Sequence, residues 1–159
     1  MSNSPASSVA RPPHDPGLAR IAVQRIDIPG RWLVIPVDHV AYAFLSSAVR
    51  TGVIEAPDAT ARCLARSAVY IRSIKGSLFR TGFSNLEALR RTLDTARFVT
   101  VHRLVIVNVS RLVELDLAGR VSRVGVMAGT QIEFIPLSRR CLRAIRELVG
   151  LPPRVQRFR

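Results

Sequence analysis

Apolar and polar positions change rhythm several times along this 159-residue chain, and the changes mark its elements. Residues 1–17 are rich in Ser, Pro and Ala without periodicity, and read as a disordered leader with too little apolar surface to offset its ordering entropy. From residue 18 to 28, Ile21, Val23, Ile26 and Ile28 alternate loosely and predict a first strand that Pro29-Gly30 stops. Residues 32–37 predict a second strand, which Pro36 marks as an edge or as ending early. Residues 37–45 fit a short helix and a strand equally, and residues 49–55 read as a strand. Pro57-Asp58 predicts a helix to about Arg66 with Asp58 as its cap. Residues 68–74 and 78–81, joined through Lys75-Gly76, predict a hairpin. Ser84 is expected to cap a helix over residues 85–93, with Leu86, Leu89 and Leu93 inward and Arg90 and Arg91 outward.

The remainder is organised around residues 98–140. In FVTVHRLVIVN (98–108), Val99, Val101, Leu104, Ile106 and Val107 keep strand spacing only as far as His102. A strand is therefore expected to stop at His102-Arg103 and another to begin, with both polar side chains pointing away from the core. Residues 112–117 and 122–127 read as two further strands, with turns at Ala118-Gly119 and near Gly129. Ser138 predicts the cap of a last helix from Arg139 to about Val149, with Leu142, Ile145, Leu148 and Val149 as its apolar positions. Gly150 and Pro152-Pro153 stop it. No internal repeat stands out.

Length suits one domain. Charge changes the picture more: 24 basic against 11 acidic residues give +13, and every basic residue but Lys75 is arginine. Such a field favours polyanions, and the guanidinium fork suits both phosphate and guanine. Cys63 and Cys141 lie far apart and His14, His39 and His102 are scattered, so no metal or cofactor site is expected and both thiols are expected to be free and buried. The sequence has no GxSxG, no phosphate-binding GK[ST] loop and no paired carboxylates, so no enzyme is expected. The longest apolar stretch, residues 33–49, contains Asp38 and His39 and is too short to span a membrane. Without a signal pattern at the N-terminus, a cytoplasmic address with no membrane partner is the expectation.

Four pieces of the chain resemble the LytTR family of bacterial DNA-binding domains: LEAL (86–89), FVTVHR (98–103), LVIVN (104–108) and IPLSRR (135–140). Their order and spacing match over roughly the last 75 residues, whereas residues 46–67 depart from the family pattern. The resemblance implies a mainly β, elongated domain of short antiparallel sheets with a few short helices, over residues 18–151, before a basic tail at 152–159. It also implies loops, rather than a recognition helix, presented to successive major grooves of double-stranded DNA. By family position Arg139 is a base or phosphate contact in the Ser138-Arg139 motif, followed by Arg140, and Arg103 takes the contact position after His102. The third contact loop maps onto Arg66 or Ser67.

His102 is open between touching a phosphate and propping the corner, while Asn108 reads as structural. Arg143, Arg146, Arg154, Arg157 and Arg159 read as solvated helix and tail, adding nonspecific attraction. The expected function is a sequence-specific transcriptional regulator; with no room for a receiver or sensor domain in residues 1–35, it is expected to be stand-alone or to take its signal elsewhere, as through residues 46–67. A homodimer and adjacent binding on repeated sites both stay open. The alternative is an RNA-binding or partner-sequestering module without sequence-specific DNA readout.

Overall fold

The structure, a computed structural model, describes residues 19–152. The predicted leader, the start of the body at Leu18 and the tail beyond Pro152 lie outside the described residues. Strands β1 (Arg20–Arg25), β2 (Trp32–Pro36), β3 (Val40–Leu45), β4 (Val69–Ser73), β5 (Leu78–Thr81), β6 (Phe98–His102) and β7 (Val105–Asn108) form one antiparallel sheet in the order β2-β1-β5-β4-β3-β7-β6. Strands β8 (Leu112–Asp116), β9 (Arg123–Ala128) and β10 (Gln131–Pro136) form a second, ordered β10-β9-β8. Four short helices complete the described chain: α1 (Ser47–Arg50), α2 (Asp58–Cys63), α3 (Leu86–Thr92) and α4 (Arg139–Leu148). The mainly β expectation holds.

The large sheet is buried on both faces at its centre. On one face Tyr42, Phe44, Tyr70, Val105 and Val107 meet Val124, Val126 and Ile135 of the small sheet and Ile145 of α4. On the other, Ala43, Val69, Ile71 and Ile106 lie under Leu86, Leu89 and Leu93. A strand packed on both faces has no polar side, so β3 reads as an unbroken apolar run. The even fit of residues 37–45 to helix and strand resolves into one 3₁₀ turn, Val37–His39, followed by β3. Asn108 is structural as expected: its Nδ2 donates to the Val40 carbonyl at 2.9 Å and its Oδ1 accepts from the Ser110 amide.

Several expectations need correction. Residues 49–55 are not a strand: α1 ends in a turn through Gly52 at φ +76°, and the Ile54 amide returns to the Ala48 carbonyl at 3.0 Å. Both edges of β3 are already paired, with β4 and β7, so a segment leaving β3 finds no free edge there. Pro57, not Asp58, precedes the first turn of α2, where the Asp58 carboxylate favours the helix dipole instead. Asn85 rather than Ser84 caps α3, its side chain accepting from the Ala88 amide at 2.8 Å. Cys63 is exposed, not buried, at the end of a helix with no buried residue.

Strand β10 had no counterpart in the sequence reading. Its Ile132 and Phe134 lie over Gly125, where a Cβ would come within 2.9 Å of both Glu114 Cβ and Ile132 Cγ2. They remain 40% and 44% exposed while Ile135 turns into the core, so β10 carries apolar residues on both faces and shows no clean alternation.

Candidate nucleic-acid interface

Antiparallel register brings distant segments to one end of the large sheet. The C-terminal end of β3 lies beside the starts of β4 and β7, with Leu45 opposite Val69 and Phe44 opposite Val105. Because β6 runs antiparallel to β7, His102 at its end stands opposite Val105. Backbone bonds stitch the loops together there: Leu45 N to Leu104 O at 3.0 Å, Ser46 N to Ala68 O at 2.9 Å, and Ser138 N to Val101 O at 2.9 Å. Arg66, Ser67, His102, Arg103, Ser138, Arg139 and Arg140 therefore share this end, although up to 74 positions separate them (140 − 66 = 74).

Each of the three segments is held by its own chemistry. At the corner, Arg103 and Leu104 link β6 to β7, and neither has positive φ. An unprimed turn fits the strand twist poorly, and a register irregularity between Thr100 and His102 accommodates the mismatch. The His102 ring closes the turn, its Nδ1 accepting the Leu104 amide at 3.1 Å. That bond requires an unprotonated Nδ1. Burial, and secondarily the Arg103 charge, hold the imidazole below its ordinary range. Of the two roles open to His102, the geometry displays the propping one, and Arg103 is exposed beside it.

At the last helix, Ser138 Oγ accepts the Cys141 amide at 3.3 Å, as a capping serine does, so Arg139 and Arg140 occupy the exposed first turn. Two cations there oppose the helix dipole by a few tenths to about 1 kcal/mol each, and no acidic residue in that turn offsets them. The third segment is Arg66-Ser67, both exposed. Ser67 sits at φ +53°, a left-handed conformation that costs a side-chain-bearing residue on the order of 1 kcal/mol. The Ala65 amide donates to the Tyr70 hydroxyl at 2.8 Å and the Ala68 amide to Ser46 Oγ at 3.4 Å, fixing the loop on both sides.

The arginines differ in their ion pairing. Arg97 pairs with Asp38 and with Asp94, at the end where β3 and β6 begin. Arg25, Arg72, Arg90 and Arg143 likewise have carboxylate partners. Arg66, Arg103, Arg139 and Arg140 have none among the described residues. The sequence reading missed Arg50, which is exposed and unpaired among the described residues, in the helix that leaves β3 at this same end. By pattern, residues 49–55 read as a strand, and no local signal distinguishes Arg50 from other surface arginines.

The His102 bond gives the fold a pH dependence of definite sign. An imidazole whose folded value lies below its unfolded one, about 6.5, contributes full stability above that pH. The contribution is lost as pH falls through the folded value, because the unfolded chain then binds more protons. His102→Asn keeps an acceptor for the Leu104 amide but does not titrate. Thermal melts between about pH 7.5 and pH 5 are expected to show a larger loss for the native chain than for this variant. Equal losses would mean that the ring does not report on the corner.

No helix among the described residues is long and apolar enough to cross a membrane. The family of the LytTr DNA-binding domain matches residues 70–150, from within β4 to the end of α4. A solved LytTr DNA-binding domain from Bacillus cereus superposes with a TM-score of 0.59 at 18% identity, covering 85% of this chain and 100% of its own. At that identity the likeness speaks for the fold alone, but it extends over much of what precedes residue 70. No curated protein matches the chain. Half of the sequence and the whole arrangement of sheets lead to the same place: the chain belongs to the LytTR family of DNA-binding domains.

Proposed function

We propose that this protein is a transcriptional regulator that reads double-stranded DNA with the loop end of its large sheet. The observation that carries the reading is the meeting there of unpaired arginines from three segments. From β4 to β6 is three strand spacings, about 14 Å, close to the width of a major groove at about 12 Å. Arg66-Ser67 and Arg103 therefore flank a groove-sized span, with the start of α4 set against β6. In this reading Arg139 reads a base edge and Arg103 a second one, while Arg66, Ser67 and Arg140 hold the backbone. His102 and Ser138 position their neighbours rather than contact bases. The far end, where Asp38 and Asp94 pair with Arg97, faces away.

Gel shifts of a randomised duplex pool, with and without RNA competitor, test this. Duplex binding is expected to survive an equal mass of RNA and to weaken steeply with salt, log K falling by about 0.9 per phosphate neutralised. Selection from the pool should enrich a defined site. Preferential capture by RNA, or a slope near zero, would favour the RNA-binding or partner-sequestering alternative.

A further inference from the structure

A concavity lies between the β9–β10 hairpin and the residues joining α1 to α2. Its volume is about 750 Å³, within the range of about 300–1,000 Å³ typical of small-molecule sites. Two hairpin turns meet at one boundary, where the Gly129 amide donates to the Ile74 carbonyl at 2.8 Å and a Cβ on Gly129 would come 3.2 Å from Lys75 O.

The floor is polar. Tyr42, 1% exposed, donates its hydroxyl to Glu133 Oε2, and Arg72 Nε lies 3.4 Å from Glu133 Oε1. Arg72 Nη1 donates to the Gly76 carbonyl at 3.0 Å, whereas Nη2 makes no hydrogen bond among the described residues. One carboxylate is thus shared by a phenol and a guanidinium, and a charged donor is left over. Lys75 and Arg123 stand exposed in the lining without ion pairs among the described residues, against one unengaged carboxylate, Glu55. Ile54 and Leu78, which pack on the same side as Tyr42, supply apolar wall above this floor.

A partly exposed guanidinium edge with a free donor, two further cations and an apolar wall are complementary to a small anion with a carbon body. We propose that this cleft binds a small organic carboxylate, aromatic or branched aliphatic, with its charge on Arg72 Nη2 and on Lys75 and its body against Ile54 and Leu78. Arg72 and Glu133 belong to different sheets, so the ligand would sit at the joint between them. The wall segment also continues through α2 to Arg66 and Ser67; a consequence for DNA affinity rests on the proposed function, whereas binding in the cleft does not.

Amide NMR spectra of the full chain, titrated with benzoate and with isovalerate and using benzamide as the neutral control, test the site. Saturable shifts are expected for Gly76, Gly129, Gln131 and Glu133 with at least one carboxylate, and about tenfold weaker binding of the amide. The double variant Lys75→Glu, Arg123→Glu changes only exposed positions, and an unchanged amide spectrum away from the cleft checks that its fold persists. It is expected to weaken binding at least about tenfold. Absence of shifts for both carboxylates, equal response to benzamide, an unaffected double variant, or shifts centred on Arg103 and Arg139 would each overturn the assignment.

Discussion

Replacing Arg139 with alanine is expected to lower affinity for a selected DNA site by about 5- to 150-fold, the equivalent of roughly 1–3 kcal/mol for a lost bidentate base contact. The residue stands exposed in the first turn of α4, has no acidic partner and opposes the helix dipole, so its removal should not harm the fold. Arg103→Ala is expected to behave in the same way at the corner. Each variant should relax preference at one base pair, which distinguishes reading from clamping. Arg157→Ala, outside the described residues, provides the contrast: it should weaken all sequences equally and slightly. If all three lose specific and nonspecific binding in one proportion, the arginines act on phosphate alone and the reading passes to Arg66-Ser67. Circular dichroism of each variant checks that the helix and the corner persist.

A large stability effect is expected at Ile145. It is the buried residue of α4, 0% exposed, and it fastens that helix to Val101 and Val124. Ile145→Ala should cost about 2–5 kcal/mol through lost burial and a residual cavity, seen as a lower denaturant midpoint at unchanged slope. Leu148→Ala on the same helix, 46% exposed, should stay within about 0.5 kcal/mol. A small loss at Ile145 would mean that α4 is held by its N-terminal bond to Val101 and not by its apolar face. DNA affinity should fall with Ile145 as well, because the start of α4 is positioned by its docking.

These two cases mark what the residues make legible. Ser138, Ile145 and Gly150 identify α4 locally, through a cap, a period and a stop, and the helix runs as they indicate. Lys75-Gly76 likewise identifies the β4–β5 hairpin, with Gly76 at φ +86°. Residues 49–55 mislead because Val49, Val53 and Ile54 carry β-branched apolar side chains at short spacing, whereas Arg50-Thr51-Gly52 between them form the turn that ends α1. Strand β10 stayed hidden for a different reason, since Ile132 and Phe134 spend apolar side chains on the outer face to cover Gly125. The motif residues of the candidate site were visible singly. Their convergence was not, because it depends on β3 lying between β4 and β7, a pairing that no local pattern encodes. Arg50 entered the site only through that topology.

Amide hydrogen exchange of the chain, with and without excess duplex DNA at low salt, tests most directly whether the loop end of the sheet is the DNA-binding surface. The expected result is slowed exchange at Ser67 and Ala68, at Arg103 and Leu104, and at Arg139 and Arg140, with no change around Asp38 and Asp94. Protection concentrated at the Asp38–Asp94 end, or along the outer face of α4 with the three loop segments unchanged, would contradict it.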